Sequence, residues 1–132
     1  IQVSGIACPM WVALVENNES QNEGADYFIK KYIDQLLSED PLIDTMILGC
    51  THYPILFPKI REYTPDGIRV IAQGEYVAES LKDYLHRHPE MDAKCTRNGN
   101  CLFYTTEAED KFIESASTFL SQQINVKRIT LE

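Results

Sequence analysis

Long apolar runs are missing from this chain: none approaches the ~20 residues a membrane-spanning helix needs. Positive charge is scarce as well, with 12 Lys and Arg against 20 Asp and Glu, a formal charge of −8. Residues 1–66 hold 4 basic and 10 acidic side chains, and residues 67–132 hold 8 and 10. Neither half supplies the basic face a nucleic-acid footprint requires, so no nucleic-acid partner is expected. An anionic small molecule would have to be met by local donors. There is no initiator Met, and Ile1-Gln2-Val3 reads as mid-protein sequence. No basic leader precedes Ala13, so no secretory signal is expected. The four cysteines, at 8, 50, 95 and 101, form no Cys-x-x-Cys pair. They read as free thiols in a reducing cytoplasm.

What is present is ordinary for a soluble domain: 132 residues, 44% hydrophobic and 24% charged. Short apolar stretches alternate with amphipathic ones. Gln2–Ala7 reads as a strand ended by Pro9, which cannot continue a ladder. Residues 17–24 form a polar loop. Ala25, Phe28, Ile29, Tyr32, Ile33, Leu36 and Leu37 recur at helical spacing, and Asp40-Pro41 stops that helix. Residues 43–49 read as a buried parallel strand. Pro54 and Pro58 suit a turn and a first helical turn. Residues 68–72 form another strand, and Val77, Ala78, Leu81 and Leu85 stripe a further helix. Residues 87–100 form an excursion loop, and 102–104 a strand. Thr106 with Glu109 forms a capping box before a helix through Phe112, Ile113, Ala116, Phe119 and Leu120. Residues 126–131 form the closing strand. This alternation argues for an α/β fold, a mostly parallel sheet with flanking helices.

Chemistry concentrates in Gly49-Cys50-Thr51-His52-Tyr53-Pro54. In open α/β sheets, ligands bind beyond the carboxyl ends of the strands, which is where the apolar run delivers Cys50. Gly49 there allows close backbone approach. A thiol serves as a base only when partly ionised; free backbone N–H groups and a nearby His supply that help. Thr51 offers a hydroxyl to a substrate carboxylate or ammonium. A strand-end cysteine alone is more often a small buried hydrophobe, but Thr and His following in this order reverse the odds.

That hexapeptide resembles the second catalytic-cysteine motif of glutamate racemases. Ala7-Cys8-Pro9-Met10 with Leu14-Val15-Glu16 resembles the same family's Ala-Cys-Pro segment, and Phe103-Tyr104-Thr105-Thr106 its strand before the last helix. The resemblance implies a cofactor-independent racemase of two pseudo-symmetric α/β lobes, with the active site between them. One cysteine removes the α-proton of glutamate and another returns a proton from the opposite face. Cys50 matches the second cysteine, the base towards L-glutamate. Thr51 and His52 match substrate-binding positions. His52 matches the histidine assisting the thiol, and Glu16 the acidic residue that orients or charges it. Residues 1–72 are then part of the second lobe, and 73–132 a segment returning to pack on the first. D-glutamate for the bacterial cell wall, a homo-oligomer and a cytoplasmic location are further implications. Two thiols suit the task because inversion needs an acid and a base flanking the carbon. The carbanion also needs preorganised donors.

The first catalytic cysteine, in a Cys-Asn-Thr context, and the Asp-Ser substrate residues are not in this chain. Ala72-Gln73-Gly74 stands where many relatives carry Asp-Ser. The chain therefore reads as the C-terminal portion of such an enzyme, inactive alone. Aspartate racemase is the rival within the superfamily, disfavoured by His52; a non-catalytic binding module is the rival outside it. Elsewhere the plainer readings hold. Five residues separate Cys95 and Cys101, where zinc pairs usually have two to four, so this is a loop with a surface disulfide or two free thiols and no metal. Cys8 and Trp11 are core. His86 and His88 are a solvated helix end, and Asp26 with Lys30 an ordinary helix-surface pair.

Overall fold

Pro9 has no N–H to give to a ladder, and the chain uses it instead to open a helix. In the computed structural model, which describes residues 1–120 and 122–131, α1 runs Pro9–Glu16. The strand expected over Gln2–Ala7 is not formed. Sequence alone supplies no partner edge, and these residues are tied down by side chains: Ser4 Oγ donates to Asp40 Oδ2 at 2.9 Å. The chain divides into two compact units, Ile1–Asp83 and Tyr84–Glu132.

In the first unit, α1 is followed by α2 (Glu23–Glu39), whose first turn is capped by the Asn22 side chain accepting from Ala25 N–H at 2.9 Å. Such a cap is worth about 1 kcal/mol. The helix ends at Asp40, immediately before Pro41. Strand β1 (Thr45–Leu48) leads through a 3-10 turn (Tyr53–Leu56) into α3 (Phe57–Tyr63) and then β2 (Arg69–Ala72). β1 and β2 pair in parallel, Thr45 opposite Arg69 and Leu48 opposite Ala72. A helical crossover between parallel strands is what the geometry of parallel pairing demands. α4 (Gln73–Arg87) begins directly after β2 and buries no residue.

One core joins these elements. Trp11 and Val15 of α1, Ile29 and Ile33 of α2, Met46 and Leu48 of β1, Leu56, and Ile60 of α3 are all buried in one cluster. Residues 43–49 are expected as a buried parallel strand; the structure buries Met46 and Leu48 but leaves Ile47 63% exposed. α1, α2 and α3 contribute to the cluster on the Met46 and Leu48 side, and a parallel strand needs cover on both faces to be fully buried.

The second unit repeats the strand–helix–strand pattern. After the end of α4 come α5 (Pro89–Asp92), β3 (Phe103–Thr105), α6 (Glu109–Leu120) and β4 (Val126–Arg128). β3 and β4 pair in parallel, Phe103 opposite Val126. A single helical turn, α5, thus forms inside the expected loop. The capping box is not formed. Helix α6 starts at Glu109, three positions past Thr106, and the Glu109 carboxylate accepts from Arg128 N–H at 2.7 Å. A long-range donor has taken the oxygen that a local cap would have used. The fold is α/β, with short parallel strands and flanking helices.

Candidate active site

The Met46–Leu48 alternation anchors β1, so the chain emerges from the core just before Gly49 and Cys50. Cys50 is half-buried. A Cβ on Gly49 would meet no atom within 4 Å, so no neighbouring part of the chain demands glycine there. Two residues on, His52 turns back: its Nδ1 lies 3.7 Å from Cys50 Sγ. The other ring nitrogen, Nε2, lies 2.5 Å from Oε1 of Glu16, the last residue of α1. Thr51, between the thiol and the imidazole in sequence, is exposed. The structure therefore brings Cys50, His52 and Glu16 into one line of contacts and leaves Thr51 open to solvent beside it.

The electrostatics of the line follow its geometry. The Cys50 thiol is held below its ordinary value, first by the His52 backbone N–H and then by the imidazole. His52 is raised, first by its hydrogen bond to Glu16 and then by Cys50. Both shifts favour thiolate beside imidazolium. In that state each ring nitrogen is a donor, one towards sulfur and one towards carboxylate. The arrangement can take a proton at sulfur beside a cationic ring that Glu16 steadies.

Cys8, the other thiol of this unit, behaves oppositely. It is 5% exposed, and burial pushes it up to about 11. Its backbone N–H donates to the Tyr53 hydroxyl at 3.3 Å. Tyr53 also receives the Trp11 ring edge-on, with centroids 4.9 Å apart. These aromatic contacts escape a sequence reading that treats Trp11 and its neighbours as plain core; the aromatic next to His52 was the available signal. Cys95 and Cys101 are free and exposed. Asp26 does not pair with Lys30. It bonds Lys59 of α3 instead, while Lys30 bonds Asp34 at 2.6 Å. α3 packs on α2 and carries Lys59 to Asp26, while Lys30 finds its partner one turn further along α2. Among the described residues no group of three or more His, Cys, Asp or Glu is placed to hold a metal ion, and no helix is long and apolar enough to cross a membrane.

Comparison with known proteins agrees along the whole chain. No family model matches it. A glutamate racemase of Bacillus cereus is 38% identical over 100% of this chain and 48% of its own length. One from Streptococcus agalactiae is 33% identical over 98% of the chain and 48% of its own length. The crystal structure of a glutamate racemase isoform from Bacillus anthracis matches with a TM-score of 0.83 at 31% identity, covering 99% of this chain and 48% of that one. Over its whole length this chain is similar to glutamate racemases. It spans about half the length of the racemases it matches. The glutamate racemase of Francisella tularensis, solved with D-glutamate, shares the fold at a TM-score of 0.74 and 23% identity.

Proposed function

We propose that this chain carries one of the two proton-transfer faces of a cofactor-independent glutamate racemase, with Cys50 as the base towards L-glutamate. The observation that carries this reading is the line Cys50–His52–Glu16 at the end of β1. Cys50 thiolate takes the α-proton and becomes a thiol. The carbanion then accepts a proton from a thiol on the opposite face, which is left as thiolate. His52 holds Cys50 ionised before the transfer, and Glu16 keeps the ring oriented and charged. Thr51 and His52 meet the substrate's polar groups, and backbone N–H groups at the strand end add donors for the developing charge. The glutamate substrate is supported by the names of the relatives and by the D-glutamate in the Francisella structure.

The opposite thiol is supplied from outside this chain. Cys8 is buried and held protonated, unsuited to the role. In this reading the chain is the C-terminal portion of the enzyme. Residues 1–72 belong to its second lobe, and residues 73–132 return to the first. The complete cytoplasmic enzyme is a homo-oligomer that supplies D-glutamate for peptidoglycan. The chain alone is inactive, because half a pocket neither excludes water nor protects a carbanion.

The test is circular dichroism of L-glutamate incubated with the purified chain, repeated with the N-terminal half added. Racemisation is expected only in the second case and is lost with Cys50→Ala. Turnover by the chain alone, abolished by Cys50→Ala, would overturn the two-thiol reading.

A further inference from the structure

Helix α1 has no side-chain cap at its start, and Pro9 at its first position contributes no N–H. With only eight residues, it is too short to hold its own geometry in water. Its C-terminal end is well closed. Asn18 N–H reaches Val15 O at 3.1 Å, and Glu19 N–H reaches Leu14 O at 2.8 Å. The N-terminal end is held to the site loop where Cys8 N–H donates to the Tyr53 hydroxyl. One turn along, the Trp11 ring stands at 81° to that of Tyr53, while its indole N–H donates to Phe28 O at 3.2 Å. Tyr53 follows His52 directly in the chain. The same residue pair therefore carries both ends of the Glu16 contact: one neighbour is the imidazole, the other grips the helix that presents the carboxylate.

We infer that Tyr53, braced by Trp11, is the positioning residue that sets α1 so that Glu16 meets His52. The inference deepens the proposed proton-transfer role of Cys50 and rests on it. Its physical basis is leverage. Glu16 lies about 10 Å along the helix from the Tyr53 anchor, so a tilt of about 5° displaces the carboxylate by about 1 Å. A displacement of that size breaks a hydrogen bond whose strength falls steeply with geometry. The Tyr53 hydroxyl bonds the Cys8 backbone N–H and the Cys8 thiol and has no described side-chain bond to Glu16 or to Cys50 Sγ, so it acts on the Glu16 contact through the start of the helix. The titratable groups facing the His52 ring are Glu16 from α1 and Cys50 from the end of β1. Cys8 and Tyr53 themselves lie on the α1 start and the 3-10 turn.

The experiment follows two titrations in the 132-residue chain: the His52 imidazole by NMR, and Cys50 alkylation by iodoacetamide, resolved by peptide mass spectrometry. Tyr53→Phe keeps the ring and removes only the hydroxyl. It is expected to lower the His52 midpoint and raise the Cys50 midpoint by several tenths of a pH unit. Trp11→Phe, which adds or removes no ionisable group, is expected to shift both in the same directions, and it serves should Tyr53→Phe fold poorly. In a Glu16→Gln background, Tyr53→Phe should move the His52 midpoint no further, because the contact it positions is gone. If Glu16→Gln shifts the midpoints while both aromatic variants leave them in place, the positioning role is overturned and the Cys50–His52–Glu16 reading survives. A Tyr53→Phe shift that persists undiminished in Glu16→Gln likewise overturns it, since the effect would then be direct. If Glu16→Gln itself moves neither midpoint, the relay reading falls and the inference with it.

Discussion

Glu16 Oε1 lies 2.5 Å from His52 Nε2, across 36 positions of chain. The contact raises the His52 pKa, with Glu16 as the principal cause. A raised imidazole pKa contributes stability that is full below the unfolded value, ~6.5, and is lost as pH rises through the folded value. Glu16→Gln should therefore lower the melting temperature at about pH 6, and the difference should close as pH rises past the folded midpoint. Because the Glu16 side chain is 63% exposed, solvent screening limits the effect to about 1 kcal/mol or less. Thermal melts across pH check this; a difference that stays constant with pH would sink it.

The thiols should separate by reactivity. Cys50 is half-buried with a lowered pKa, so its thiolate persists as pH falls and its alkylation midpoint should lie below the ordinary thiol value of ~8.5. Cys8 is 5% exposed and pushed up to about 11. It should resist iodoacetamide until urea unfolds the chain. Peptide mass spectrometry against time reads both; labelling of Cys8 at the Cys50 rate in the native chain would contradict the packing described.

Asn18 holds φ at 58°, the left-handed position that ends α1 in a Schellman turn. Asn18→Gly should change stability by only a few tenths of a kcal/mol. Asn18→Val should cost about 1–2 kcal/mol, since a β-branched side chain crowds the carbonyl in that conformation. Trp11 is the single tryptophan and is 3% exposed, so its fluorescence in a urea titration reports unfolding of this unit. Equal midpoints for the two variants would show that the turn is held by something other than this residue's dihedral.

The uncovered apolar side chains should drive association. Ile47, Val77 and Leu81 are 63%, 62% and 55% exposed, and apolar surface of this kind favours self-contact in water. Sedimentation velocity is expected to show dimers or larger species whose proportion rises with concentration. The double variant Ile47→Lys with Val77→Lys should shift the chain towards monomer. A wild-type chain that stays monomeric at every concentration would refute this expectation.

Much of the element order was legible in sequence because its signals are local. The Ala25–Leu37 periodicity marks α2, Asp40-Pro41 its end, and Pro54 and Pro58 the turn and helix after Cys50; each depends only on backbone sterics and on neighbours a few positions away. The placement of Cys50 just past a parallel strand follows from the same run of apolar residues. Where the reading failed, a long-range partner decided the outcome. Gln2–Ala7 can read as a strand but pairs with none, and Asp40 holds Gln2 and Ser4 instead. Glu109 is spaced for a cap, yet the Arg128 backbone takes its carboxylate. Asp26 and Lys30 are spaced as a helix pair, yet α3 brings Lys59 to Asp26.

The candidate site divides along the same line. The sequence by itself determined that a thiol, a hydroxyl and an imidazole stand in a row after β1, because adjacency in the chain is enough for that. Only the tertiary structure decided that the imidazole meets the end of α1, that one face of β1 is left open, and that Tyr53 grips the Cys8 backbone. Those outcomes depend on how buried surfaces of Trp11, Ile29, Met46 and Ile60 pack together. Packing is a property of the assembled core, whereas periodicity and turn chemistry are properties of the chain a few residues at a time.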